Sequence, residues 1–200
     1  MQKILVWDWP VRLGHWLMAG GFAIAWLTSE SETWRLVHVL AGATVLAVAA
    51  FRLPWGFIGS RYARFVDFVR GPTAVKDYLR SLLSLEPNHH VGHNPAGGWA
   101  IVLLLGLAIL CGLTGWGAYN ELGDWLEELH EGLATSMLVV VIVHIAGVAS
   151  GSLLHGENLV RAMLTGRKQG APEDAIASPR PLAALVLLAW IALAGWFIAS

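Results

Sequence analysis

Five apolar runs, Leu13–Leu27, Leu36–Leu53, Trp99–Trp116, Leu133–Leu154 and Leu182–Ala199, take up nearly half of this 200-residue chain and leave few folds open to it. A helix needs roughly 17–25 mainly apolar residues to cross a bilayer. The first run is the shortest and needs its flanking residues to complete a span. Only 14% of the residues are charged, against about 25% in an ordinary soluble domain. The chain reads as an all-α integral membrane protein with five transmembrane helices.

A net charge of −1 hides a strong asymmetry. With the N-terminus in the cytoplasm, the cytoplasmic segments collect Lys3, Arg12, Arg52, Arg61, Arg64, Arg70, Lys76, Arg80, Arg161, Arg167, Lys168 and Arg180. That is twelve of the thirteen basic residues, and only Arg35 falls outside. The excess predicts an N-in, C-out topology. Beside spanning helices such a basic stripe signals topology and contact with lipid headgroups, not nucleic acid. Of the eleven tryptophans, Trp7, Trp9, Trp26, Trp34, Trp55, Trp99, Trp116 and Trp125 fall near expected helix ends, where an interfacial aromatic belt belongs. Cys111 is the single cysteine and cannot pair within the chain; no C-x-x-C-H is present for covalent haem attachment. Asp8 and Pro10 interrupt the approach to the first run, and no convincing cleavage site follows it, so the start reads poorly as a signal peptide.

The outer connections are short and acidic: Thr28–Arg35 carries Glu30 and Glu32, and Gly117–Gly132 carries Glu121, Asp124, Glu127, Glu128 and Glu131. The longest connection, Pro54 to Gly98, is cytoplasmic. Within it Tyr62–Val69 and Thr73–Leu85 alternate apolar and basic residues at helical spacing, which predicts amphipathic surface helices. Gly71-Pro72, Pro87 and Pro95 punctuate them. A second link, Gly166–Pro181, leads to the last run. Residues 1–170 are expected to form a four-helix membrane domain with an amphipathic loop at about 56–95, and residues 171–200 a linker and a fifth C-terminal span.

Four histidines, His15, His38, His130 and His144, lie near the ends of these runs. His130 and His144 share one run and stand fourteen residues apart, just short of four helical turns, so both leave one face about 21 Å apart along the axis. Topology puts His15 near the cytoplasmic side, His38 and His130 near the outer side, and His144 deep on the cytoplasmic side. Depth alone pairs His15 with His144 and His38 with His130. Imidazole pairs in apolar surroundings point to haem iron, and two pairs to two haem b. A porphyrin between helices needs small neighbours: Gly14 adjoins His15, Gly42 lies one turn from His38, and Gly147 and Gly151 follow His144. Such glycines also serve ordinary helix packing. Arg12 and Arg35, one turn before His15 and His38, are placed to meet haem propionates; for Arg35 the alternative is snorkelling to headgroups. Zinc transport would favour acidic residues inside the spans, and those interiors have none. His89, His90 and His155 read as surface or interfacial residues.

These pieces together resemble the bacterial di-haem cytochrome b561 family, which includes the cytochrome b subunits of nickel–iron hydrogenases and small b-type cytochromes. The resemblance rests on Arg12-Leu-Gly-His15-Trp16, on Arg35-Leu-Val-His38 with Gly42, and on Arg52-Leu-Pro-Trp55-Gly-Phe-Ile-Gly59 with Tyr62-Ala-Arg64-Phe65. It continues with Gly92-His93-Asn94-Pro95, Leu129-His130-Glu131 and Val143-His144-Ile-Ala-Gly147. It covers roughly residues 5–170 and implies a four-helix bundle with two bis-histidine haems, exchanging electrons between a quinone and a partner. The fifth helix departs from the minimal four-helix members. His93 and Asn94 are placed to hydrogen-bond a quinone carbonyl, relay a proton or hold a propionate. Asn94 before Pro95 also has the form of a helix N-cap.

The expected function is single-electron transfer between the quinone pool and a periplasmic c-type cytochrome or hydrogenase-like subunit, in the bacterial inner membrane. A stand-alone superoxide:quinone oxidoreductase is the alternative, and it would need a cationic funnel where the outer loops are acidic. A passive membrane anchor for a partner complex would be indifferent to loss of the histidines.

Overall fold

The computed structural model describes residues 2–84 and 88–199. Helices carry nearly all of it. They are α1 (Trp9–Thr28), α2 (Arg35–Ile58), α3 (Phe65–Phe68), α4 (Pro72–Leu83), α5 (Pro95–Tyr119), α6 (Trp125–His155), α7 (Leu159–Thr165) and α8 (Pro181–Ala199). Local chemistry sets several of the boundaries. Asp8 is buried and its carboxylate accepts from Val11 N at 2.9 Å, with Pro10 in the first turn of α1. Asn94 accepts from Gly97 N at 2.7 Å to open α5, again followed by proline. Gly156 and Gly166 end α6 and α7 in the left-handed region, at φ 61° and 78°, where a side chain would be strained. Replacing Asn94 with alanine should cost about 1 kcal/mol, read as a lower melting temperature of the detergent-solubilised protein.

Among the described residues, four helices are long and apolar enough to cross a membrane: the segments Glu32–Ile58, Pro95–Tyr119, Trp125–His155 and Pro181–Ile198. Their outward faces, including Leu113, Ile142, Val143, Ile145, Leu185 and Val186, are exposed. A bilayer covers such surface at no cost, whereas water would penalise it. At 20 residues, α1 is long enough, but its glycines, its tryptophans, Arg12 and His15 keep it less apolar than the other four.

Sequence neighbours pack in order: α1 on α2, α2 on α5, and α5 on α6. The fourth side is different. Among the described residues α6 makes no comparable contact with α1 or α2, so a seam runs along the bundle between them. The C-terminal helix α8 closes on the outside of α1 and α2. There Leu187 is fully buried and Trp190 Nε1 donates to the Ala47 carbonyl at 2.9 Å, which satisfies an indole N–H that lipid could not.

Three features differ from the sequence expectation. The fold is not purely helical: β1 (Gln2–Leu5) pairs antiparallel with β2 (Arg167–Gly170), Gln2 opposite Gly170 and Leu5 opposite Arg167. Strand β2 lies inside the stretch expected to be a plain linker. Trp7 does not join an interfacial belt either. It is buried in a cluster with Val6, Val11, Tyr62 and Ile176, because the ribbon pulls the chain start under the loops. The Tyr62–Val69 amphipathic helix is interrupted: a 3-10 turn (Arg61–Ala63) precedes the four-residue α3, and Phe65 and Phe68 turn inward. The second expected helix is α4; the expected end at Leu85 and the break at Pro87 lie outside the described residues.

Candidate functional site: two histidine pairs across a seam

The seam is lined by histidine from both sides. His15 on α1 faces His144 on α6 with ring centroids 6.4 Å apart. His38 on α2 faces His130 on α6 at 6.1 Å. A metal held between two imidazole nitrogens at about 2 Å each, with roughly another 1 Å from each nitrogen to its ring centre, puts the centroids roughly 6 Å apart. Both spacings fit one metal ion. No cluster of three or more His, Cys, Asp or Glu groups suited to a metal exists among the described residues. Two protein ligands per centre suit a metal whose other ligands come from a macrocycle. A third couple, His89 and His155 at 6.2 Å, lies outside the seam at the end of the bundle that carries the ribbon.

The pair farther from the ribbon is rigidly aimed. His38 Nδ1 lies 2.8 Å from the Ala25 carbonyl, and His130 Nδ1 lies 2.9 Å from the Cys111 carbonyl. A carbonyl only accepts, so in each ring the proton sits on Nδ1 and Nε2 keeps its lone pair for a metal. Histidine ligands are held this way by their outer nitrogen in many metal sites. Gly115 makes room for it: a Cβ there would lie 2.7 Å from His130 Cε1. Gly42 and Gly147 leave open space, with nothing within 4 Å of where a Cβ would be. Gly14 and Gly151 instead meet Val48 and Leu159, and serve packing.

The ribbon-end pair has other surroundings. His15 Nδ1 is buried without a partner. Arg12 stacks over Trp9 at 4.1 Å, and its guanidinium donates to the Leu164 carbonyl while Nε stays buried and unpaired. His93 lies against Trp7 at 4.5 Å and Phe68 at 4.9 Å, its Nδ1 also unpaired. Burial, reinforced by the charges of Arg52 and Lys168, pushes its pKa down to about 3, so the imidazole is neutral at physiological pH. Asn94 is committed to its helix cap. Arg35, at the far end, is exposed and stacks over Tyr119 at 5.6 Å. Thus the four histidines meet pairwise, His93 joins the ribbon-end pair, and Arg35 stays at the surface.

A model of one family, the prokaryotic cytochrome b561, matches residues 6–166. The chain belongs to that family. It is a membrane cytochrome whose b-type haem carries electrons, and the seam with its paired imidazoles suits that group. The cytochrome is similar to the "Probable Ni/Fe-hydrogenase B-type cytochrome subunit" of Rhizobium leguminosarum bv. viciae, 24% identical over 84% of this chain and 89% of the relative. The protein of the same description from Rhodobacter capsulatus is 25% identical over 83% and 81%. The "Probable Ni/Fe-hydrogenase 1 B-type cytochrome subunit" of Escherichia coli K12 is 27% identical over 58% and 60%. No solved structure gives a significant match.

Sequence reasoning missed the Ala25 and Cys111 carbonyls, since any residue supplies one and no pattern marks it. It also missed Gly115, which reads as one of several packing glycines. Arg52 carried a usable signal, a lone guanidinium at the end of an apolar run, but was read only as a topology charge and as part of a family motif, with no role of its own.

Proposed function

We propose that this cytochrome is a transmembrane di-haem wire, with His15–His144 and His38–His130 as axial ligand pairs. It passes single electrons between the quinone pool and a redox partner on the periplasmic side. The observation that carries this reading is the pair of facing imidazoles at two depths, about 21 Å apart along α6. The haems supply the redox couple; the chain supplies ligation, burial and orientation. With a histidine from each side holding it, the haem iron would have no site open to oxygen, and its chemistry here would be single-electron transfer. Nδ1–H of His38 and of His130 is held by a backbone carbonyl, so both rings keep their aim as the charge between them changes. His93, neutral and beside the ribbon-end pair, would hydrogen-bond a quinone carbonyl and relay a proton to it, taking one up on one ring nitrogen as it gives one up from the other.

The basic residues of the ribbon end support the reading that it faces the cytoplasm, with α1 and α8 as further spans to make five in the bacterial inner membrane. The partner is a hydrogenase-like subunit, in line with the names of the relatives, or a periplasmic c-type cytochrome. The acidic outer loops call for a basic docking face.

A reduced-minus-oxidised spectrum with pyridine haemochrome quantitation tests the core of this reading. Two b haems per chain, both reducible by a quinol, are expected. One haem would mean that one histidine pair is wrong, and none would sink the proposal. Gly115→Ala should act on one centre alone. The new methyl drives the His130 ring off the Cys111 carbonyl, and haem content falls toward one per chain while helicity by circular dichroism is kept. Two haems with unshifted spectra in that variant would show that the ring does not need this room.

A further inference from the structure

All five buried side-chain polar atoms without a partner among the described residues lie toward the ribbon end: Arg12 Nε, His15 Nδ1, Arg52 Nη1, Ser60 Oγ and His93 Nδ1. Orphans of this kind are rare in a finished fold, and each calls for an explanation. Arg52 is the extreme case. It lies on α2 with only 9% of its surface exposed. It makes no hydrogen bond and no ion pair with any described residue, and its guanidinium carbon lies 5.8 Å from the Phe65 ring centre. Asp8 is close enough to act on it electrostatically. Both Asp8 oxygens are engaged elsewhere, Oδ1 by Val11 N at 2.9 Å and Oδ2 by Trp55 Nε1 at 3.1 Å. A guanidinium so largely buried, with Nη1 sealed from solvent and no protein acceptor among the described residues, is costly unless something else pairs with it.

The surroundings say which way Arg52 is turned. Phe65 stacks on Phe68 at 5.6 Å, and Phe68 on His93 at 4.9 Å. Arg52, His15 and His144 all act on His93 through space. Gly56 and Gly98 let Phe65 and Phe68 close over the spot, since a Cβ at either position would collide with them. Arg12, the cation that sequence position favours for the same role, is already committed in part to the Leu164 carbonyl and the Trp9 ring.

We propose that Arg52 binds a propionate carboxylate of the haem held between His15 and His144. This inference rests on the di-haem reading above. A guanidinium presents two parallel N–H groups to a carboxylate, and burial strengthens the contact. Arg52 is therefore a cofactor-binding residue at that centre and has no part in the other.

The test uses the full chain, purified as holoprotein, with haem carrying ¹³C at the propionate carboxylates. Redox-difference infrared spectra and spectroelectrochemical titrations are recorded for wild type, R52Q and R52K. In R52Q the label-sensitive carboxylate bands should shift. The reduction equilibrium of one haem should move toward the ferric form by about tenfold, because a cation near the iron favours the less positive ferrous state. The second haem should be unmoved, and R52K, which restores a charge without the fork, should fall between. Where R52Q does not keep its fold, R52K is read by itself and its carboxylate bands should still shift. Unchanged label-sensitive bands in whichever variant is read would overturn the proposal. A wild-type protein without the haem that His144→Ala should remove would instead overturn the di-haem reading, and this inference with it.

Discussion

Replacing His130 with alanine should leave a folded protein with one b haem in place of two. In the proposed arrangement the imidazole supplies one of only two protein bonds to its iron, and alanine offers no substitute, so the centre shared with His38 should be lost. The His15–His144 centre, about 21 Å away along α6, keeps both its ligands. Quinol should still reduce the remaining haem, while transfer to a periplasmic partner stops. His144→Ala should produce the mirror result: the far haem survives and quinol no longer reduces it. Haem per chain and the reduced-minus-oxidised spectrum decide the matter. If both haems persist in His130→Ala, the pairing is wrong. If both are lost with helicity intact, the two centres are not independent.

The second large effect is one of stability and lies outside the histidines. Lys168 on β2 is only 5% exposed, lies 3.5 Å from the Glu157 carboxylate and donates to the His90 carbonyl at 3.0 Å. It ties the ribbon to the end of α6 and to the loop that leads to His93. Glu157→Gln leaves a buried ammonium with a carbonyl for company and no counter-charge, which should cost on the order of 3 kcal/mol. The sign with pH follows. Burial lowers the pKa of Lys168, and Glu157 partly opposes that, so the substitution lowers it further. Between the depressed folded pKa and the ordinary lysine value the unfolded chain binds more protons, and stability rises with pH. The loss in Glu157→Gln should be greatest near neutral pH and shrink as the medium becomes alkaline. Melting temperatures of the solubilised holoprotein across that range measure it; a loss that does not vary with pH would mean that Lys168 is not the charge responsible.

Much of this architecture is legible in the sequence because lipid removes choices. Apolar runs of spanning length must be helical, and their order fixes which ends meet. The depths of His15, His38, His130 and His144 follow from those runs, and the rings do meet pairwise. The ribbon was not legible. Gln2–Leu5 and Arg167–Gly170 are each four residues long, with no partner signal in the local pattern, and more than 160 residues separate them. Propensity is weak over so short a stretch, and a strand of that size exists only because its partner is brought to it. The same reason hid Trp7, whose burial depends on the ribbon. Arg52 and Lys168 were hidden by chemistry: both count as positive-inside charges, and nothing local shows that they are buried.

The ribbon has a consequence for how the protein is made. Its first strand is made before any of the helices, but the second is not synthesised until the helices bearing all four histidines have been. At about 5–20 residues per second the wait is roughly 8–30 s. Through that interval Trp7 and Asp8 lack the lid that β2 and α7 supply, and Arg12 lacks the Leu164 carbonyl. Ribbon closure therefore comes only after α1, α2, α5 and α6 have been made, and acts as a late latch on the end of the bundle that holds His15 and His144.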